Sequence, residues 1–507
     1  MTLRAFKTED DLTTHEPVEA AAEATSALGQ DLDSSLHVLT CGSVDDGKST
    51  LIGRMLWDAA GVATDQRDAI SQQALTSAGT PDFSLLVDGL AAEREQGITI
   101  DIAWRYFELP SRRLVIIDSP GHVQYTRNMA TGASHADVAV LLVDARAGIK
   151  EQTRRHAAIL DLIGVRRIIL AVNKMDLVGW SQERFREIEA HFAEAMGGFG
   201  FVDAIAIPLS AIHGDNVARR SRNMPWYGGP PLLEHLQMIP ARVTTAHEAF
   251  RFPVQLVVRD GQDFRGLAGT VASGQIAVGD EVRDGVSGRS SRVARIVTMG
   301  RDLAVAKAGQ AVVLQLEDDI DVSRGAVLAR ADAGLRAVQR LAGRLVWLSD
   351  SPFDPDRGYL LRTATDLVPL NGIEVRALLD LETLSEQPAL WLRTNDIGAV
   401  NLSLARPTAL DLFADLPRTG SFVLVDAATG DTVAGGVVDR IDDAADRDAR
   451  TRFKLTGALL RAGLCADLGH SPHDLTEFRR RAHEVSLLLA AAGVPVDIED
   501  LTAEVAP

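Results

Sequence analysis

Residues 39–50, "LTCGSVDDGKST", set an apolar run directly against a loop bracketed by Gly42 and Gly47 and followed by Lys48 and Ser49. This is the G-x-x-x-x-G-K-[ST] pattern, and "STLIGRMLWDAA" continues it with helical texture. The glycines let backbone N–H groups converge on phosphate oxygens, and the helix N-terminus adds its dipole. Lys48 reaches the outer phosphates and Ser49 offers a hydroxyl to Mg²⁺. Such a loop works only between a strand and a helix, so it commits this part of the chain to an α/β layer.

The surrounding text agrees. From Leu36 to about Ile239, the short apolar runs "LHVLT", "RLVIID", "VAVLLVDA", "IILAVNK" and "AIAIPLS" alternate with segments of helical period such as "EQTRRHAAILDLIG" and "SQERFREIEAHFAEAM". That alternation predicts a mostly parallel sheet flanked by helices. "PWYGGPPLLEHLQMIPARV" closes the unit with a turn, a short helix and a proline. From Phe252 to about Ile441 the pieces become strand-sized, valine-rich and punctuated by glycine and aspartate, which predicts two antiparallel barrels or sandwiches with a boundary near Asp332. After Asp442 the text turns helical again. Ser471, Pro472 and Asp474 make an N-cap, a first-turn proline and a capping box; Phe478, Ala482, Val485, Leu488 and Leu489 share one face, and Gly493 with Pro495 ends the helix.

Three further motifs name the nucleotide. "VIIDSPGH" ends a strand with Asp118, placed to meet Mg²⁺ through water, followed by Gly121, whose N–H suits a γ-phosphate. "NKMD", Asn173 to Asp176, ends another strand, and the carboxylate of Asp176 matches the adjacent N1–H and N2–H donors of guanine, which adenine lacks. Ser210 and Ala211 close a later strand, where they can support the base. The nucleotide is therefore GTP or GDP, with Mg²⁺. The contacting set is Gly42, Ser43, Val44, Asp45, Asp46, Gly47, Lys48, Ser49, Thr50, Asp118, Gly121, Asn173, Lys174, Asp176, Ser210 and Ala211. Upstream, "AAEREQGITID" supplies Thr99, a residue able to ligate Mg²⁺ only while a γ-phosphate is present, so that its loop acts as a switch. The metal set is Ser49, Thr99 and Asp118; the catalytic set is Lys48, Thr99 and His122, with His122 orienting the attacking water. The remaining histidines, including His470, His473 and His483, read as surface residues.

Composition limits the rest. Seventy acidic against 52 basic residues give a net charge of −18, which disfavours broad binding to nucleic acid or anionic membranes. The two cysteines, Cys41 and Cys465, lack metal-ligand spacing and read as reduced thiols. Residues 1–33 lack a signal-peptide pattern and read as a mobile acidic leader of a cytoplasmic protein.

The glycine loop, "REQGIT", "DSPGH" and "NKMD", followed by two β-domains, resemble the translational GTPases typified by elongation factor Tu. "LTCGSVDDGKSTLIGR", "LLVDGLAAEREQGITIDIAWRYF", "GHVQYTRNMATGASHADVAVLLVDARAG", "NKMDLVGWSQ", "GDNVARRSRNMPWYGGPPLLEHL" and "DFRGLAGTVASG" are more specifically similar to the large GTPase subunit of bacterial sulfate adenylyltransferase, from about residue 37 to 440. Ser119 stands where that family usually has threonine. The resemblance implies a P-loop GTPase domain (34–241), two β-barrels (242–332 and 333–441) and a short helical tail (442–507). It implies an enzyme that makes adenosine 5′-phosphosulfate and pyrophosphate from ATP and sulfate. The resemblance implies that GTP hydrolysis on this chain drives that reaction, while a small catalytic subunit of ATP-pyrophosphatase type carries out adenylyl transfer. One nucleotide loop is present and no S-G-G-x-D-S motif, which agrees with a partner holding the second site. The alternatives are a GTPase acting on tRNA or the ribosome, against which the acidic balance speaks, and an assembly protein with a vestigial GTP site, against which the intact motif set speaks.

"LTGALLRAGLCADLGHSPHDLTEFRRRAHEVSLLLAAAG", from residue 455, resembles a middle piece of adenylylsulfate kinase, with Thr456 and Ala458 where that family has the acidic pair of "LDGD". Gly47-Lys48 is the only Gly-Lys pair in the chain, so the kinase's own phosphate loop is missing. The tail is expected to be a remnant without kinase activity, and a separate adenylylsulfate kinase is a second candidate partner.

Overall fold

Leu, Val and Ile concentrated in seven-residue runs, with no polar alternation, build strands covered on both faces. In the computed structural model these are β1 (Leu36–Gly42), β3 (Arg112–Asp118), β4 (Val138–Asp144) and β5 (Arg167–Asn173), joined by β6 (Asp203–Pro208). All seven residues of β4 are buried. The sheet order is β2-β3-β1-β4-β5-β6, parallel except for the edge strand β2 (Ala103–Leu109), which runs antiparallel to β3. The sequence runs above did not single out β2. Its residues are mostly half-exposed and carry no apolar run.

The structure describes residues 35–59, 81–87, 99–109, 111–240, 248–260, 264–331, 333–442, 453–455, 467–468, 471–491 and 496–498. The leader, the whole "AAEREQG" stretch, Cys465 and the "LTGA" segment after Leu455 lie outside them.

Helices α1 (Lys48–Asp58) and α5 (Leu232–Met238) pack on one face of the sheet, and α2 (Thr126–Ala133), α3 (Glu151–Ile163) and α4 (Gln182–Met196) on the other. The chain leaves β1 toward β3 on one side and β4 on the other, which makes the carboxyl end of β1 a switch point of the sheet. Ligands of open α/β sheets sit at such a point. The segments after β1, β3, β4, β5 and β6 all begin at that edge.

The valine-rich middle of the chain forms two closed antiparallel barrels. The first runs β10-β15-β7-β8-β14-β11, and β10 pairs back with β11. These strands are β7 (Arg251–Asp260), β8 (Phe264–Thr270), β10 (Glu281–Asp284), β11 (Ser290–Thr298), β14 (Ala311–Leu316) and β15 (Val327–Arg330); the short β9 (Gln275–Ala277), β12 (Arg301–Leu303) and β13 (Val305–Lys307) decorate them. The second runs β17-β21-β22-β16-β20-β18, closed by β17 on β18. Its strands are β16 (Arg336–Trp347), β17 (Tyr359–Arg362), β18 (Leu367–Leu379), β20 (Ile397–Leu410), β21 (Ser421–Asp426) and β22 (Thr432–Ile441), with β19 (Glu386–Pro388) at its rim. Closure decides between barrel and sandwich, a choice that turn spacing left open. A buried pair, Arg251 donating to both oxygens of Asp411 at 2.9 and 2.8 Å, ties the barrels together, and Thr419 Oγ1 donates to the same carboxylate.

The second barrel also docks on the α/β domain. Arg127 donates to the carbonyls of Leu348 and Thr432, each at 3.1 Å, and Asn395 donates to the carbonyl of Val123 at 3.0 Å. Arg344 lies 3.7 Å from Asp161, and Phe413 packs so close to Gly164 that a β-carbon there would sit 2.8 Å from its ring. The barrel thus holds the segment that directly follows His122.

In the tail, the helix begins as the capping pattern requires: α6 is Pro472–Ala491, with Asp474 N donating to Ser471 Oγ and Ser471 N donating to Asp474 Oδ2. Phe478 and Ala482 are buried. The structure adds two three-residue strands to the helical expectation. β23 (Phe453–Leu455) and β24 (Val496–Ile498) pair in parallel, so among the described residues the tail has a β–α–β order with α6 between its two strands. Strands this short show no periodicity in sequence.

Candidate nucleotide site

Gly47 adopts φ +93°, and a β-carbon there would lie 2.5 Å from Asn173 Nδ2, so both its conformation and its surroundings call for glycine. From this turn α1 starts with its first amides bare: the N–H groups of Gly47, Lys48, Ser49 and Thr50 donate to no acceptor among the described residues. Lys48 folds back across the loop and donates to the carbonyls of Gly42 at 3.1 Å and Ser43 at 2.9 Å. Burial pushes this ammonium down from its ordinary value, opposed by Asp118 and Asp46. Gly121 lies over it so closely that a β-carbon would sit 2.3 Å from Lys48 Nζ. A buried cation beside unpaired amides, under a lid that excludes any side chain, suits a group bearing several anionic oxygens.

Long-range bonds tie the phosphate loop to the segments after β5 and β6. Asn173 Nδ2 donates to the carbonyl of Asp46 at 2.9 Å, while its Oδ1 accepts from the amides of Lys174 at 2.8 Å and Ala211 at 3.0 Å. Lys174 Nζ donates to the carbonyl of Asp45 and lies 3.0 Å from Asp144. Burial opposes ionisation of Asp144, yet bonds from Arg146 and Lys174 hold its carboxyl well below the usual carboxylate range. Ser210 Oγ donates to Asp176 at 2.7 Å and so aims that carboxylate.

The two aspartates of the loop separate in role. Asp45 is exposed with φ +66°, whereas Asp46 is buried, accepts from the amide of Ser43 at 2.7 Å and lies 3.2 Å from Lys150. Burial raises the Asp46 pKa against the pull of Lys150. Lys150 and Asp144 were not among the residues singled out in the sequence; only the fold brings them to the loop.

Asp118 and Ser119 are buried at the end of β3. Thr40 Oγ1 lies 3.5 Å from Asp118, and Ser119 Oγ donates to the carbonyl of Thr40 at 2.7 Å. A serine in place of threonine therefore keeps its bond. Thr99 is buried, and the next carbonyl, Ile100, accepts from Asn128. Ser49 and Thr50 are half-buried in the first turn of α1, and Val44 is half-buried in the loop. His122 is half-buried, with Nδ1 accepting from the amide of Gln124 at 3.3 Å and its ring beside Tyr125. Among the described residues no group of three or more His, Cys, Asp or Glu side chains is placed to hold a metal. The set Ser49, Thr99 and Asp118 is of a different kind, two hydroxyls and one carboxylate, suited to a hard cation that also takes phosphate oxygens.

One expectation needs correction. His156 is fully buried on α3, because its helical position turns it toward the sheet. Its Nε2 lies 2.9 Å from Gln152 Nε2, and its Nδ1 has no partner. Burial, with Lys48 and Arg155 adding to it, pushes this imidazole down to about 3. On unfolding it returns to an ordinary value near 6.5 and takes up a proton, so stability falls as pH drops from there toward 3. One such group removes about 2 kcal/mol between pH 7 and pH 5. The difference in urea midpoint between those pH values should be smaller in His156→Gln than in the parent chain; an unchanged difference refutes the assignment. His483 is exposed as expected, while His470 and the side chain of His473 lie outside the described residues. Cys41 is buried and free, and burial pushes its thiol up to about 12. No helix among the described residues is long and apolar enough to cross a membrane.

Residues 33–251 match the family described as "Elongation factor Tu GTP binding domain", and residues 340–439 match that described as "GTP-eEF1A C-terminal domain-like". The chain is 47% identical over 416 residues to sulfate adenylyltransferase subunit 1 of Aliivibrio fischeri (strain MJ11), covering 81% of this chain and 87% of that one. Identity to the protein of the same name from Methylorubrum extorquens is 48% over 409 residues, covering 80% and 87%. The bifunctional enzyme NodQ of Rhizobium sp. (strain N33) is 43% identical over 517 residues, covering 92% of this chain and 80% of its own length. That share is more than the residues up to Ile441 supply, so this likeness runs on into the βαβ tail.

Proposed function

The chain belongs to the sulfate adenylyltransferase subunit 1 family, and from that membership we propose that it is the GTP-hydrolysing subunit whose reaction drives adenosine 5′-phosphosulfate formation on a partner. The interlock of Asn173 and Lys174 with the carbonyls of Asp46 and Asp45 carries this reading, because it joins a guanine-matching carboxylate to a phosphate cradle. The amides of residues 47–50 and Lys48 hold the β- and γ-phosphates, and the amide of Gly121 meets the γ-phosphate. Asp176 reads the base, Ser210 aims it, and the amide of Ala211 supports the ring. Ser49, Thr99 and Asp118 would hold Mg²⁺, which would supply neutralising charge for the phosphoryl oxygens. His122 orients the water that attacks the γ-phosphorus as the bond to the β-phosphate oxygen breaks.

Adenylyl transfer, in which a sulfate oxygen attacks the α-phosphorus of ATP and pyrophosphate leaves, takes place on a small subunit of ATP-pyrophosphatase type. This chain offers one phosphate loop, and GTP occupies it. The contacts of Arg127 and Val123 with the second barrel give the state of the Gly121–His122 segment a route to the barrels. The tail has no kinase activity, since no second Gly-Lys pair precedes it. The test is reconstitution. Purified chain hydrolyses GTP but makes no adenosine phosphosulfate; adding the small subunit produces it, and GTP raises the yield. Adenosine phosphosulfate made by this chain alone overturns the division of labour.

A further inference from the structure

A cavity of about 280 Å³ lies between the last turn of α1 and the loop after Ala211, walled by Arg54, Asp58, His213, Asp215, Arg219 and Arg220. Its carboxylates are already engaged: Asp58 accepts from Arg54 at 2.9 Å, and Asp215 accepts from Ser221 and Asn223. Arg219 and Arg220 pair with no carboxylate among the described residues. Two uncommitted guanidiniums and a third held by one carboxylate leave the cavity cationic in a chain whose net charge is −18. A polar concavity of this kind favours a small, multiply charged occupant over an apolar one, and guanidinium forks match the oxygens of a tetrahedral anion.

The walls are also the supports of the base-reading loop. Arg54 lies against Gly214 so closely that a β-carbon there would sit 2.2 Å from its Nη2; it donates to the carbonyl of Ile212 at 3.4 Å and covers the ring of Phe83. His213 Nε2 is 4.0 Å from Asp176, the carboxylate that Ser210 aims, and its amide donates to Ser210 Oγ. We propose that the cavity is an effector site for a sulfate- or phosphate-class oxyanion whose binding loosens the guanine-reading loop. An anion there draws the Arg54 guanidinium away from the carbonyl of Ile212 and the His213 ring away from its place beside Asp176, and release of guanine nucleotide speeds up. The proposal rests on the reading of Asp176 and residues 210–211 as the base site.

The experiment follows release of a fluorescent GDP analogue from the full chain at fixed ionic strength and fixed free Mg²⁺, in potassium chloride, sulfate, phosphate or pyrophosphate. At least one oxyanion should accelerate release saturably by about five-fold or more, the lower end of ordinary coupling between sites, while chloride does not. The three salts separate sulfate from phosphate and pyrophosphate as the occupant. Arg219→Ala/Arg220→Ala, at exposed positions that leave the fold intact, should abolish the acceleration, and Arg220→Lys should keep part of it. Acceleration unchanged in the double variant, or no difference from chloride, overturns the proposal. Should the analogue fail to bind at all, the base-site reading falls. The cavity is then tested by tryptophan fluorescence of the nucleotide-free chain, because Trp180 lies 6.2 Å from His213. A saturable oxyanion response lost in the double variant supports the site, and no response refutes it.

Discussion

Lys48→Ala should lower single-turnover GTP hydrolysis by about 10²- to 10³-fold, the usual cost of removing one donor from a preorganised anion site, while the nucleotide-free chain melts at nearly its original temperature. The two halves of this expectation have one cause. Lys48 is 7% exposed, and among the described residues its ammonium is met by two carbonyls and no ion-paired carboxylate, so the fold alone gains little from it. The phosphates gain much, because the same charge acts on them in a dry site. Lys48→Arg should fail almost as badly. A planar fork needs room that Gly121 does not leave, since even a β-carbon on that residue would sit 2.3 Å from Nζ. A variant that loses hydrolysis and melts far lower would point to a structural lysine instead.

Much of this arrangement could be read from sequence because its signals are local. The phosphate loop, the strand-ending Asp118 and the "NKMD" segment each place their chemistry within a few residues, and parallel strands announce themselves as apolar runs. The capping pattern at Ser471–Asp474 is local too. What escaped is long-range. Lys150 reaches Asp46 across 104 residues, Lys174 meets Asp144 from the next strand, and Arg251 finds Asp411 in the other barrel. No spacing in the chain announces such pairs. His156, read with the remaining histidines as a surface residue, departs from that reading for a related reason: a histidine's burial depends on what its helix packs against, which the letters around it do not state.

The docking of the second barrel has a consequence for coupling. Its three bonds to Val123 and Arg127 fall within five residues of His122, on the exit from β3, and two of the three come from loops at the barrel rim, Leu348 and Asn395. If, as proposed, Gly121 meets the γ-phosphate and moves on its loss, that movement would either break these bonds or carry the barrel with it. Both barrels would follow, because the buried Arg251–Asp411 pair joins them. A partner bound to either barrel would thereby sense the nucleotide without touching it.

Asp176→Asn should convert the chain from GTP to XTP. Guanine presents two donors, N1–H and N2–H, to the two carboxylate oxygens, and Ser210 holds that carboxylate from behind at 2.7 Å. Asparagine offers one acceptor and one donor. Against guanine the amide N–H₂ faces another donor, which leaves two buried polar groups unpaired; against xanthine, which carries an oxygen at C2, the same amide finds an acceptor. Sites built on such pairing reject a mismatched analogue by large factors, so kcat/KM for GTP should fall by about 10³-fold or more while that for XTP rises above the variant's value for GTP. The serine sharpens the test. With Ser210 donating to one side-chain oxygen, the hydroxyl favours the amide rotamer that keeps the asparagine carbonyl toward it, so removing Ser210 as well should blur the new preference. Equal losses for GTP and XTP would mean that Asp176 supports the loop without reading the base, and the preference for guanine would then have to come from the backbone around Ala211.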